Sequence, residues 1–429
     1  MSSDMWIAVA VFVAAIALIA WGKVHRAYVG LASAALLIVV GVLPLDRILA
    51  YLDVNVVALL VGMAVITYYL ERSGFAAWIA ERFLRLFGFK PMRALVAFAI
   101  LGSLISAILD NVSTTLLLAP IAIKLAGALG VSPVPYVIAT ALGSNLVGAA
   151  LMIGDPPSMM VASALDLSFT DFIVFNGRPS VFFFIMAACP IAALTLLFTT
   201  KKYFKRVRSS ANLGLVTAKD DVLLVETLTI FLFVVVLLSI RNAYRIPLWA
   251  PPLMGALILL ALRAPAEKSM EALVRGVDWK TIIFVSSILL MTGGLVETGF
   301  IDLVVAKLYE LCRVDVVTAS VVIIWLSVLL SAFIDNIPYF AAMIPMVVRL
   351  SEISGMNVYT LMWALLIGGS LGGNCTYIGA SANAVAVGLL EKRGHRVSLL
   401  EFMRMGVPHT IVAVLVGEAL HYLALIHFG

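Results

Sequence analysis

The strongest constraint on this chain is a repeat at an interval of 225 residues. Leu104-Ile105-Ser106-Ala107-Ile108-Leu109-Asp110-Asn111 is answered by Leu329-Leu330-Ser331-Ala332-Phe333-Ile334-Asp335-Asn336. The match begins at Gly74-Phe75 against Gly299-Phe300 and passes through Pro120 and Pro345. It reaches Ile153-Gly154 and Ile378-Gly379 without a gap. Each copy sets an acid-amide pair inside an apolar stretch. A chain built from two such halves reads as a membrane transporter whose substrate path lies between them.

Composition agrees. The chain has 429 residues, 63% hydrophobic and 12% charged, where a soluble domain carries about 25% charged residues. Its apolar runs suit a bilayer core of roughly 30 Å. It is expected to be all-α and polytopic, with no soluble domain. The first residues, Met-Ser-Ser-Asp-Met-Trp, lack a basic n-region, so the first apolar segment is expected to stay as a span. The pI near 9.1 does not point to nucleic acid, because the cations sit in short loops. Cys189, Cys312 and Cys375 are too scattered for a disulfide framework.

About ten full spans are expected, near 5–21, 28–43, 54–70, 133–165, 179–199, 222–240, 247–262, 280–295, 358–391 and 407–426. Residues 92–129 and 316–350 are apolar stretches broken by Asp-Asn and read as re-entrant hairpins. The spans at 133–165 and 358–391 are too long for one straight helix. Each is unwound, at Gly154-Asp155-Pro156-Pro157 and from Gly372 to Gly379. Irregular backbone at that depth requires protein or water around it. The domains expected are scaffold spans at 1–53, a first repeat half at 54–199, a cytoplasmic linker at 200–221, scaffold spans at 222–278 and a second half at 279–429.

With both hairpins re-entrant, the loops at 22–27, 71–93, 200–221, 263–280 and 391–405, together with Lys124, hold 22 of the 29 Lys and Arg. Placing these inside gives an inverted-topology repeat in the cell inner membrane with both termini periplasmic. The basic linker Lys201-Lys202-Tyr-Phe-Lys205-Arg206-Val-Arg208 reads as a cytoplasmic anchor.

Asp110, Asp155 and Asp335 all fall at breaks in apolar segments, where a carboxylate is costly and marks a functional position. They are the candidates for proton or ion coupling. The plainer alternative is that they cap helices. Asp155 has no acidic mate, because Ala380 stands at the matched position. An unpaired carboxylate away from water favours its neutral form, which makes Asp155 a candidate proton carrier. The motifs contain no Lys or Arg. Asn111, Ser113, Thr114, Asn145, Gly154, Asn336, Gly373, Asn374 and Thr376 are the candidate substrate contacts, each also explicable by helix packing. Ser144, Ser381 and Asn383 could line the same cavity. Glu418 and His421 read as scaffold groups, and Cys375 as a small apolar filler.

The phrases Leu109-Asp-Asn-Val-Ser-Thr-Thr-Leu-Leu-Leu-Ala-Pro120, Ile153-Gly-Asp-Pro-Pro157 and Gly372-Gly-Asn-Cys-Thr-Tyr-Ile-Gly379 resemble the ion transporter superfamily. Within it the chain resembles the branch of the arsenite permease (ArsB), the NhaD antiporter and the melanosomal P protein. The resemblance covers roughly residues 50–425. It implies a scaffold and a transport domain, with two hairpins and two unwound helices forming the site, and elevator-type movement. Some arsenite permeases work with a soluble ATPase. The branch often has Gly-Gly-Thr-Ala-Thr before Ile-Gly-Asp-Pro-Pro, where this chain has Val147-Gly-Ala-Ala-Leu151. It has Ser158 where Asn is common. Both departures make the first break less polar.

The leading expectation is a secondary transporter that exports arsenite or antimonite, which are neutral trihydroxides at pH 7, against a proton gradient. A Na⁺/H⁺ antiporter is the first alternative and an anion or dicarboxylate transporter the second. An enzyme is not expected, because Walker A and HExxH motifs are missing from the sequence. No cofactor, metal site or nucleic acid is expected. The expected partners are the solute, the coupling ion and the bilayer, with a homodimer and an ATPase subunit as further candidates.

Overall fold

Asp53 and Asp278 stand 225 positions apart, and each opens an apolar helix by accepting from backbone N–H groups of its first turn. This capping satisfies donors that the helix itself leaves free. The computed structural model of the protein describes residues 3–88, 90–204, 220–263, 277–312 and 315–428. Most of the basic linker, including Lys205, Arg206 and Arg208, lies outside the described residues.

The described chain is almost wholly helical. The first half comprises α1 (Ser3–Trp21), α2 (Arg26–Val39), the short α3 (Ile48–Tyr51), α4 (Val54–Arg72), α5 (Phe75–Phe87), α6 (Pro91–Ser106), α7 (Asn111–Leu129), α8 (Val134–Gly148), α9 (Pro156–Ala164) and α10 (Val181–Thr199). The second comprises α11 (Asp221–Tyr244), α12 (Ala250–Arg263), α13 (Trp279–Glu297), α14 (Phe300–Cys312), α15 (Val316–Ser331), α16 (Asn336–Ser354), α17 (Val358–Gly372), α18 (Ser381–Lys392) and α19 (Leu399–Phe428). A small β-hairpin, Val174–Phe175 with Arg178–Pro179, turns at Asn176-Gly177, both at positive φ, as a two-residue hairpin loop requires.

Helices α4 to α7 recur as α13 to α16 with the same lengths, each shifted by 225 residues. In each half two helices meet at an Asp-Asn tip and form a hairpin, α6 with α7 and α15 with α16. The first leg of each hairpin lies along the following helix, α6 on α8 and α15 on α17. Glycine permits the approach. A Cβ at Gly143 would stand 2.0 Å from the Ala99 carbonyl, and one at the matched Gly368 would stand 2.3 Å from that of Ile324.

Helix α8 is about 22 Å long and α9 about 13 Å. Neither spans a bilayer alone, but end to end across the break they do. The pair α17 and α18 repeats this. The remaining helices cross over between halves: α2 packs on α13, and α12 packs on α4. At the second contact a Cβ on Gly62 would lie 2.5 Å from the Pro252 backbone.

Among the described residues, eight helices are long and apolar enough to cross a membrane. Two of them, Asn111–Leu129 and Asn336–Ser354, are second legs of the hairpins. The spans expected at 28–43 and 247–262 are shorter as helices. The first ends at Val39, ahead of Gly41 at φ +82. The second begins only at Ala250, with Pro251 and Pro252 in its first turn, where missing N–H groups cost nothing. Phe198, Val222, Leu232, Leu257, Leu329 and Phe333 project outward uncovered, as lipid-facing side chains do.

Candidate transport site

The two hairpin tips meet the two helix breaks at one cavity of about 360 Å³. Its lining brings together Asp110, Asn111 and Ser113 of the first tip and Asp335 and Asn336 of the second. Gly154 and Asp155 join them from the first break, and Ala380 and Ser381 from the second. Asn145 reaches it from α8, and apolar walls come from Leu60, Met63, Ile153, Met159 and Ile282. Arg26, Asp278 and Thr281 complete the polar lining. Arg26 belongs to the loop expected at 22–27, and Asp278 to that expected at 263–280.

The tips are built alike. Asp110 accepts from the backbone N–H of Val112 at 3.0 Å and of Ser113 at 2.9 Å. Asp335 accepts from that of Ile337 at 3.2 Å. Behind each acid the amide oxygen of the asparagine takes a hydroxyl, Ser106 to Asn111 at 2.6 Å and Ser331 to Asn336 at 2.9 Å. Both asparagines then press on a glycine of the break. A Cβ at Gly148 would lie 2.2 Å from Asn111 Oδ1, and one at Gly373 would lie 2.6 Å from Asn336 Oδ1. Gly154 sits as tightly, because its Cβ would stand 2.3 Å from the Gly148 carbonyl.

The acids differ in their surroundings. Asp110 is exposed. Asp155 is 2% exposed. Its Oδ1 accepts from the Ser158 N–H at 2.9 Å and caps α9, while Oδ2 is buried with no hydrogen-bond partner among the described residues. A buried polar atom left unpaired is costly and calls for an explanation. At Ala380 the matched helix α18 has no side-chain cap.

Asp335 has a cation. The motifs carry no Lys or Arg, so the sequence leaves all three acids without a basic partner. Arg26 corrects that for Asp335, at 3.2 Å from Nη1 to Oδ2. Arg26 also donates to Ser381 and, at 3.0 Å, to Thr281, and its guanidinium lies 4.9 Å from the Phe284 ring centroid. Ser381 in turn donates to Asp335 at 2.6 Å, and Thr281 donates to Asp278 at 2.6 Å. Burial, with Lys280 and Arg26 nearby, holds the neighbouring His25 imidazole below its usual range.

The other candidates lie on the cavity wall, as Asn145 does, or behind it. Asn145 donates to Asn374 Oδ1 at 2.9 Å and to Asn383 Oδ1 at 3.0 Å. Asn374 donates to the Leu142 carbonyl at 2.8 Å. Asn383 donates to the Gly373 carbonyl at 3.1 Å. All three side chains are buried, and together they tie α8 to the second break. Thr376 donates to the Ala332 carbonyl at 2.5 Å and accepts from the N–H groups of Ile378 and Gly379, bracing that break. Thr114 is fully buried and its hydroxyl has no partner. Gly373, Asn374, Thr376 and Thr114 are not part of the cavity lining. Glu418 accepts from the Trp325 indole N–H, and His421 meets the Thr360 carbonyl at 3.1 Å.

Comparison with known proteins places this architecture. An uncharacterized transporter of Mycobacterium tuberculosis is 32% identical over 436 residues, covering 98% of this chain and 99% of its own. The P protein of Homo sapiens is 28% identical over 508 residues, covering 99% of this chain and 60% of its own length. Two solved transporters share the fold. MtrF of Neisseria gonorrhoeae, described as one of a class of antimetabolite efflux pumps, has a TM-score of 0.60 at 13% identity, over 98% of this chain and 94% of its own. YdaH of Alcanivorax borkumensis has a TM-score of 0.58 at 12% identity, over 89% and 86%. The family described as citrate transporter (CitMHS) matches residues 16–368. The chain therefore belongs to the CitMHS citrate transporter family of the ion transporter superfamily and is a secondary transporter.

Proposed function

We propose that the chain couples proton movement to the outward transport of a small solute, with Asp155 as the proton-carrying group. One observation carries this reading. Asp155 is buried on the cavity wall, one oxygen capping a helix and the other without a partner. A carboxylate so placed accepts a proton when the cavity faces acid and gives it up when it faces the opposite side. Asp110 serves as the water-exposed acid of the first tip, and Asp335 as the acid neutralised by Arg26. The hairpins and breaks move together past the scaffold helices, in an elevator-type cycle, in the inner membrane with both termini outside.

Arsenite or antimonite is the first cargo to test. Asp110, Asp155, Asp278 and Asp335 outnumber Arg26 in the lining, which disfavours a free multivalent anion. A neutral trihydroxide needs paired donors and acceptors, and Asn111 and Asn336 supply both.

An organic anion is the second reading. Arg26 supports it, and so does a cavity on the scale of organic-ligand pockets, roughly 300–1,000 Å³. The family description points the same way. Proteoliposomes with an imposed pH gradient, offered arsenite, Na⁺ and citrate in parallel, separate these readings. Arsenite movement supports the first and citrate movement the second. Na⁺ exchange alone makes the protein a Na⁺/H⁺ antiporter.

A further inference from the structure

We infer that Arg26 is a positioning residue for transport: it ties the second hairpin tip to the scaffold through Asp335 and Ser381 and so sets which face of the membrane the cavity opens to. This rests on the proposed alternating-access cycle and adds a residue that lies outside every repeat motif.

The argument starts from where Arg26 sits. It is the first residue of α2, whose length lies against α13. Thr281, which accepts from Arg26, is in the first turn of α13, and Phe284 is one turn further on. Two of its contacts therefore anchor the guanidinium on α13. Its other two partners, Asp335 and Ser381, open α16 and α18. These are the hairpin leg and the half-helix that form the second tip and break. One side chain thus spans the seam between the two groups of helices, and Ser381 closes a triangle by donating to Asp335.

The arrangement is one-sided. Among the described residues no cation pairs with Asp110, the repeat mate of Asp335, which is exposed and lines the cavity. The helix matched to α2 is α12, which begins at Ala250-Pro251 and offers no charge at the corresponding end. Among the described residues an ion pair therefore ties the second tip to α2, and none does so for the first. Removing either partner leaves the other charge half-buried and uncompensated, a situation that costs more than the pair itself contributes. The shift is then away from the state in which the two face each other.

The test uses the full chain with Cys189, Cys312 and Cys375 replaced by Ser and Leu116→Cys as the reporter. Leu116 lines the cavity and is exposed. Membrane-impermeant maleimide is applied to right-side-out and inside-out vesicles. The parent should react chiefly from the face that bears Arg26 and Asp278. Arg26→Gln should lower the ratio of reactivity between the two faces by about tenfold or more, and Asp335→Asn should do the same. The double variant should shift no further than either single one, because both remove one interaction. Arg26→Lys and the swapped pair Arg26→Asp with Asp335→Arg should each move the ratio back toward the parent. An unchanged ratio in folded Arg26→Gln, or additive shifts in the double variant, would overturn the inference. If Arg26→Gln does not accumulate, Asp335→Asn and the swapped pair decide it. The labelling ratio is read without any proton gradient, so failure of Asp155 coupling would leave this result standing.

Discussion

The side-chain amide of Asn145 donates to the side-chain oxygen of Asn374 at 2.9 Å, and the two residues belong to opposite halves of the chain. Asn383 completes a buried triangle with them. In the absence of water each amide must find its partners within the protein. Asn145 lies on the cavity wall, but Asn374 spends its N–H on Leu142 and its oxygen on the other two asparagines.

Asn374→Ala should therefore act first on stability. It leaves buried amides of Asn145 and Asn383 short of an acceptor, at a cost of about 1–3 kcal/mol. Thermal unfolding in detergent should show a lower midpoint for Asn374→Ala and for Asn145→Ala. An unchanged midpoint would mean that water replaces the lost group and that the triangle is not a clamp.

Gly148→Ala should disable transport with little loss of folded protein. Its Cβ would stand 2.2 Å from Asn111 Oδ1, so the first tip must shift. Gly373→Ala should do the same to the second tip, where the approach is 2.6 Å. Gly127 has nothing within 4 Å of an added Cβ and supplies the control. Solute flux in vesicles at matched expression checks the set.

Much of this was legible in the sequence and some of it was not. The interval of 225 residues between Asp110 and Asp335 reappears helix by helix, because identical spacing of apolar runs, caps and breaks forces identical local structure. Asp155 has no acid opposite it, as the pairing with Ala380 says. Arg26 was invisible: it lies 309 residues from Asp335, and only the packing of α2 on α13 brings it there. The basic stretch Lys23-Val24-His25-Arg26 looked like an ordinary membrane flank. The asparagine triangle was hidden for the same reason, since Asn145 and Asn374 are 229 residues apart. A motif tells which residues are polar but not which of them satisfy one another.

Cys375→Ala should leave most arsenite resistance intact in a sensitive host. The thiol is buried behind the cavity lining, and thiolate capture would hold a metalloid too tightly for rapid release. Asn111→Ala and Asn336→Ala should each remove resistance, because they face the cavity and hold the tips. Growth on graded arsenite reads both arms. Loss of resistance in Cys375→Ala alone would point to thiol chemistry instead.

The most direct test of the account is proton-driven transport by Asp155→Asn in proteoliposomes. Asparagine keeps the oxygen that accepts from Ser158 and caps α9, so the fold should hold. It cannot take up the proton assigned to the partnerless Oδ2. The account predicts that solute flux no longer responds to an imposed pH gradient, while downhill exchange of solute continues. Full gradient-driven flux in Asp155→Asn would contradict it.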